Sequence, residues 1–404
     1  MKKTFLIILC LSALSKGFSK EIHIDVTNPC DFQRQEIVEV NAGKILRDLQ
    51  TDDTGNVIVK NAIGQQVLYQ FTYNGKLLID ASVRPHSTTH YIISTGTPEK
   101  MKIWVQGRMY PERKDDIAWE NDRCAYRIYG PALEKTGERA YGIDVWVKNT
   151  PDLVVAKRYA MDIPGARETD LLKKEGKDKE ALENHLATSF HIDHGYGYDP
   201  YAVGPSLGCG APALMEKGKL VFPYCYRLYR ILDNGPIRFT IELTYAPKAI
   251  NGNPSVTEHR RISLDKGSNF NRMTVWYTGL DHPTDLAAGV VIHEKDTTAY
   301  SLGKNDVEYA DPTDNLQGNS CQVYVAALFP ERTDTTVYLR YEKPEEGNTG
   351  HLVGIHHSLR DGEKFTYYFG AAWSKYDVRT QAEWRLRISE FLLEKKEPLT
   401  IQIQ

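Results

Sequence analysis

The stretch Arg260–Gly279, RRISLDKGSNFNRMTVWYTG, decides the fold. Apolar and polar residues alternate along both arms around a turn that contains Gly267, so the stretch reads as a hairpin of the kind that builds large antiparallel sheets. Period-2 alternation puts one face of each arm in a core and the other toward solvent. The same texture extends in both directions. Upstream lie KLVFPYCYRLYRIL (219–232) and IRFTIELTYA (237–246); downstream lie AAGVVIHEK (287–295), QVYVAALFP (322–330), TTVYLRYE (335–342) and KFTYYFGAAWS (364–374). EWRLRISEFLLEK (383–395) fits a strand or a helix.

Nearer the N-terminus EIHIDVTN, RQEIVEV, NVIVKN, QQVLYQFTY, KLLIDASV and HYIIST are short, β-branched and separated by Gly, Asn, Asp or Pro. They read as strands joined by tight turns. Asn74-Gly75 in FTYNGKLLID suits a type I′ hairpin turn. MKIWVQGR, CAYRIYG, GIDVWVKN and DLVVAKRYA continue the strand pattern through residue 160. One segment breaks it: ARETDLLKKEGKDKEALENHLA (166–187) is highly charged, with leucines at helical spacing and an interruption at Gly176. The expected fold is all-β, a large antiparallel β-sandwich with one inserted charged helix. Residues 20–100 form an N-terminal β module packed on a main sandwich domain over 101–404.

The chain opens MKKTFLIILCLSALSKGFS, two lysines before an apolar run. This reads as a secretory signal peptide over residues 1–19, so the expected location is exported, periplasmic or extracellular. No later stretch is long and apolar enough for a membrane span. The formal charge of −3 and the lack of a basic stripe argue against nucleic acid as a partner. Outside the leader, Cys30, Cys124, Cys209, Cys225 and Cys321 show no CxxC spacing, which fits neither a zinc site nor a disulfide scaffold. Tyr numbers 24 and aromatics make up 10% of the chain, which suits pleated surfaces and stacking on sugar rings.

Two blocks concentrate reactive side chains. In PERKDDIAWENDRCAYRIYG (111–130), a single strand from Trp119 to Ile128 would place Glu120 and Asp122 on one face near a cleft mouth, as a general acid and base or as cation ligands. Trp119, Asn121 and Arg123 beside them have the character of a sugar subsite; a structural charge network is the alternative. In HIDHGYGYDPYAVG (191–204), His191, Asp193 and His194 could hold a divalent metal, and His191 or His194 could instead transfer protons to a substrate. Tyr198 adds a phenol. His293 ends an apolar strand, where side chains are delivered to clefts, and Trp373 offers a ring for stacking. No GxSxG elbow, Walker loop, GxGxxG or HExxH occurs, so serine-hydrolase, nucleotide-dependent and zincin chemistries lack support. No cofactor is required by the sequence, although a divalent cation fits the second block.

The blocks PERKDDIAWENDRCAYRIYGPAL, ERAYGIDVWVKNTPDLVVAKRY, HIDHGYGYDPYAVGPSLGCGAPAL and GKLVFPYCYRLYRILDNGPIRFTIELTY together resemble the exported Bacteroidetes proteins catalogued as domain of unknown function 4861. The resemblance implies a setting among enzymes that degrade polysaccharides, especially pectin and other uronic-acid glycans. RRISLDKGSNFNRMTVWYTG and AAGVVIHE are similar, more loosely, to the galactose mutarotase-like super-sandwich. The functional expectation is a carbohydrate-active enzyme that cleaves or processes uronate-containing oligosaccharides as a lyase or hydrolase. Alternatives are a non-catalytic sugar-binding protein and a mutarotase or epimerase.

Overall fold

The computed structural model describes residues 20–293, 299–312, 322–331 and 333–404. The expected signal peptide and Cys321 lie outside the described residues. The hairpin around Gly267 forms as Asn253–Asp265 paired with Phe270–Thr278, with Ile262 opposite Met273 and His259 opposite Trp276. Gly267 adopts a φ of 77°, which a side chain would disfavour.

This hairpin lies at the centre of a nine-stranded sheet. Arg238–Tyr245 and then Tyr226–Asn234 flank it on one side. Phe365–Trp373, Gln322–Leu328, Asp306–Pro312 and Tyr300–Leu302 follow on the other, every ladder antiparallel. Ile262, Met273 and Val275 point inward and share one core with Ala287, Val290 and Leu352 of a five-stranded sheet, and with Trp119 and Tyr126 of a four-stranded one. Sheets joined through such a core make a sandwich. Truncating one of these side chains, as in Met273→Ala, is expected to cost about 2–5 kcal/mol.

The opposite face of the nine-stranded sheet is covered only in part. The helix Gln381–Lys396 packs Trp384 and Ile388 on Phe270, Tyr324, Ala326 and Leu328. A separate N-terminal unit stands beside it, built of two small sheets around Ile24, Val26, Ile45, Leu77 and Ile79. The last strand of the chain, Thr400–Ile403, completes this unit by pairing with Ile24–Thr27. Between the helix and the N-terminal unit the sheet is open.

Several local expectations need correction. Gly75 alone has positive φ at the FTYNGK turn, and Gly75 N–H donates to Thr72, so the turn is not type I′. Residues 155–160 are helical, because Val155, Arg158, Tyr159, Asp162 and Thr169 recur at helical spacing and bury one stripe. The expected single helix is a pair, Val155–Lys174 and Asp178–Thr188, separated where Gly176 turns left-handed. The two pack closely at Gly165, where a Cβ would come within 2.0 Å of Thr188 Oγ1. The segment Trp119–Ile128 is a hairpin, Asp116–Glu120 against Cys124–Ile128, because Asn121 Oδ1 accepts Arg123 N–H and Cys124 N–H and turns the chain. Glu120 and Asp122 therefore do not share a strand face. Cys30, Cys124, Cys209 and Cys225 are buried and unpaired. Among the described residues no helix is long and apolar enough to cross a membrane.

Candidate functional site

The loop that follows the helical pair is irregular and tightly held. Gly195, Gly197, Gly204 and Gly208 have positive φ, and at Gly197 a Cβ would come within 2.2 Å of the Val147 carbonyl. Arg158 donates to the carbonyls of Val147 and Tyr196, both at 2.7 Å, pinning loop to strand. Asp193 accepts the N–H groups of Gly195 and Gly197; His194 Nε2 lies 3.0 Å from the Ser189 carbonyl; His191 Nδ1 lies 3.0 Å from the Asp199 carbonyl. The three proposed metal ligands thus serve separate backbone partners and do not converge. Among the described residues no group of three or more His, Cys, Asp or Glu could hold a metal ion. Tyr198 is buried with its ring edge-on to Trp373 at 5.8 Å, and Tyr201 packs likewise on His293 at 5.4 Å. His293 Nδ1 is 2.5 Å from Asp311.

Beneath the loop is a buried charge cluster. Arg127 lies 2.5 Å from Asp144, 3.0 Å from Asp199 and 3.7 Å from Asp116. Burial pushes the Asp116 and Asp199 carboxyls up to about 6, with Arg127 opposing the shift and Asp144 adding to it. His191, 3.7 Å from the Asp199 carboxylate, brings this cluster to the surface.

The WEND block has a different task. Glu120 accepts Lys148 Nζ at 2.7 Å and the N–H groups of Val154 and Val155, so it caps the helix Val155–Lys174 and is closed to substrate. Trp119 is fully buried and Trp373 nearly so, which removes both as stacking platforms. Asn121 donates to the carbonyls of Asp265 and Ser268 at 2.7 Å, Asp122 accepts Gly267 N–H, and Arg123 donates to the Gly267 carbonyl. Asn121, Asp122 and Arg123 lock the turn of the central hairpin.

That turn is the floor of a cleft of about 480 Å³, a volume typical of small-ligand sites. One wall is the strand Arg34–Asn41, carrying Glu36 and Glu39. The other is the helix Gln381–Lys396, carrying Arg387, Glu390, Phe391, Glu394 and Lys395. The sheet contributes Ser263, Asp265, Arg272 and Tyr368, and Arg123 reaches the same space. The walls are tied together. Buried Arg34 donates to Glu36 and to the Glu394 and Glu397 carbonyls at the helix C-terminus, where a cation is favoured. Arg238 bridges Glu39 and Asp265 at 2.5 Å each, and Lys266 meets Asp80 at 2.8 Å.

The electrostatics of the cleft are uneven. Burial, then the charge of Glu36, pushes the Glu394 carboxyl up to about 7 against Lys395 and Arg34, so near neutral pH it carries a proton much of the time. On the floor, burial and then the neighbouring Arg123 lower the Arg387 guanidinium, against Asp377, which pairs with both arginines. Arg272 and Lys395 line the cleft and, among the described residues, are in no ion pair. Of the residues singled out in the sequence, only Arg123 lines this cleft. Glu36 and Glu394 were missed; the signals available were Glu390 and Glu394 one helical turn apart and Glu36 on the same strand face as Val38 and Val40 in RQEIVEV.

Fold and cleft together define a large antiparallel β-sandwich protein with a charged, solvent-open site between its main sheet, its N-terminal unit and its C-terminal helix. The family described as "Domain of unknown function (DUF4861)" matches residues 26–401, and the chain belongs to that family. It is 27% identical over 341 residues to a protein of Formosa agariphila named Uncharacterized protein P7, covering 81% of this chain and 78% of that one. Two solved structures align with 95% of this chain. A protein in the glycosyl hydrolase family 38 from Enterococcus faecalis does so at a TM-score of 0.45 and 9% identity, and an alpha-mannosidase from Enterococcus faecalis V583 at 0.41 and 10%. The chain spans about half the length of these two, 47% and 46%.

Proposed function

We propose that the protein is an exported carbohydrate-active enzyme that hydrolyses uronic-acid-containing oligosaccharides in this cleft. The observation that carries the reading is a pair of carboxyl groups lining one cleft, Glu394, pushed up to about 7 by burial, and Glu36, together with Arg272 and Lys395, which among the described residues are in no ion pair. Environments that set two carboxyl groups apart are how glycoside hydrolysis assigns acid and base. Glu394 would give its proton to the leaving glycosidic oxygen. Glu36 would activate water or attack the anomeric carbon, and the separation of the two carboxylates across the bound sugar determines which. Arg272 would receive the uronate carboxylate, with Lys395 beside it, a role for which a planar guanidinium is suited. The dispersed reactive groups of the loop, His191 and His194, are given no step in this scheme.

Incubation with oligogalacturonides tests it. Hydrolysis yields new reducing ends without the ultraviolet absorbance of an unsaturated uronide. Because the acid form of Glu394 is required, kcat should fall as pH rises through about 7. Unsaturated products would replace hydrolysis with a lyase reaction, and tight binding of an unchanged oligosaccharide would mark a binding protein.

A further inference from the structure

The open face of the central sheet continues beyond the cleft, and the outward residues of the Arg260–Gly279 hairpin change character along it. Next to the cleft are Ser263, Asp265 and Arg272. Farther along the same two strands are Arg261 and His259, opposite Thr274 and Trp276. Outward residues repeat every second position, so Arg272, Thr274 and Trp276 form one row, about 13 Å from first to last at the usual rise per residue. The middle of the row is low on one side, where Thr274 and the adjacent Thr366 meet hydroxyl to hydroxyl at 3.0 Å, while Arg261 stands opposite Thr274 on the other. The row therefore has the profile of a trough, rising at Trp276.

Trp276 is half-buried and held in place. The His259 ring stacks on it at 5.2 Å with planes 10° apart, and His259 is itself fixed by Thr244 at 3.2 Å and Thr278 at 3.1 Å. Two cations attend the indole, Lys364 at 5.4 Å and Arg261 at 5.8 Å. Arg261 also lies 5.7 Å from the ring of Tyr73, which the N-terminal unit presents 44% exposed. Glu242 engages Nε and Nη2 of Arg261 and fixes the guanidinium beside the row.

We infer that this row is a distal subsite for the same acidic oligosaccharide, with Trp276 stacking under a sugar ring and Arg261 and Lys364 meeting a uronate a few rings away from Glu394. The inference rests on the cleft being the site of sugar processing, and its support is the continuity of trough and cleft on one sheet face together with the match of cations to a polyuronate. A rigid aromatic platform gives contact area at little entropic cost, and flanking cations select acidic over neutral chains.

Calorimetric binding and steady-state kinetics with digalacturonate and hexagalacturonate test the subsite on wild type, Trp276→Ala and Trp276→Phe. The hexamer should bind wild type more tightly than the dimer, and Trp276→Ala should raise the hexamer Kd and KM about tenfold while leaving kcat and all dimer values unchanged. Trp276→Phe, which keeps a flat ring, should recover most of the loss and shows that the fold tolerates change there. A hexamer that binds no better than the dimer, or a hexamer Kd indifferent to Trp276→Ala, overturns the subsite. If wild type binds the hexamer through Trp276 yet cleaves neither substrate, the subsite stands and hydrolysis in the cleft falls.

Discussion

The Arg127 cluster and the Glu36–Glu394 cleft both gather carboxylates around arginines, yet they are built for opposite ends. At Arg127 three aspartates close on one guanidinium under a helical pair and a glycine-bent loop, with His191 toward the surface. In the cleft the charges lie on walls from three different parts of the chain, with room between them for a ligand. Both raise the pKa of a carboxyl by burial, but the cleft is open to solvent and has room for a ligand. A perturbed group marks a functional site only when it also has access.

The sharpest way to break this contrast is at Glu394. Glu394→Gln keeps the size and removes the proton; it should lower kcat on oligogalacturonides by about 10²–10⁴-fold while the thermal unfolding midpoint stays near wild type. Arg127→Met should do the reverse. It leaves Asp144, Asp199 and Asp116 without their shared cation, and urea unfolding should show a loss of about 3–5 kcal/mol.

A smaller effect concerns pH. Unfolded aspartates lose their protons near pH 4, whereas Asp116 and Asp199 keep theirs in the folded protein to about 6, so the folded state binds more protons in between. Their contribution is therefore full at low pH and declines as pH rises across that window. Asp199→Asn should flatten this part of the stability profile measured by urea titration at successive pH values; an unchanged slope would contradict the raised pKa. The smallest effect is expected of His191→Ala, within about twofold in kcat/KM, because the imidazole serves a backbone carbonyl and no cleft wall. A large loss would return the chemistry to the loop.

Strand alternation made the sandwich legible: the arms around Gly267 pair as their pattern requires, and the Cα register brings every outward residue to one face. The helical pair was half visible, since the charged segment after Ala166 has leucines at helical spacing, whereas the β-branched Val154-Val155 of VVAKRYA misleads. The site was less legible. Glu120 and Asp122 look reactive in sequence because nothing there reveals that one caps a helix and the other holds a turn. Glu36 and Glu394 are separated by most of the chain and meet only because the last strand returns to the N-terminal unit, a long-range pairing that local pattern does not encode. Trp276 was in view from the start, but which face of a strand is solvated at a given position depends on what the rest of the fold covers.

The central claim is that acidic sugars are handled in the cleft and not over the loop. The most direct measurement is a crystal structure of the Glu394→Gln protein with hexagalacturonate. Sugar rings are expected between the strand Arg34–Asn41 and the helix Gln381–Lys396, with a uronate on Arg272; rings bound over His191 and His194, with the cleft empty, would contradict a site in the cleft.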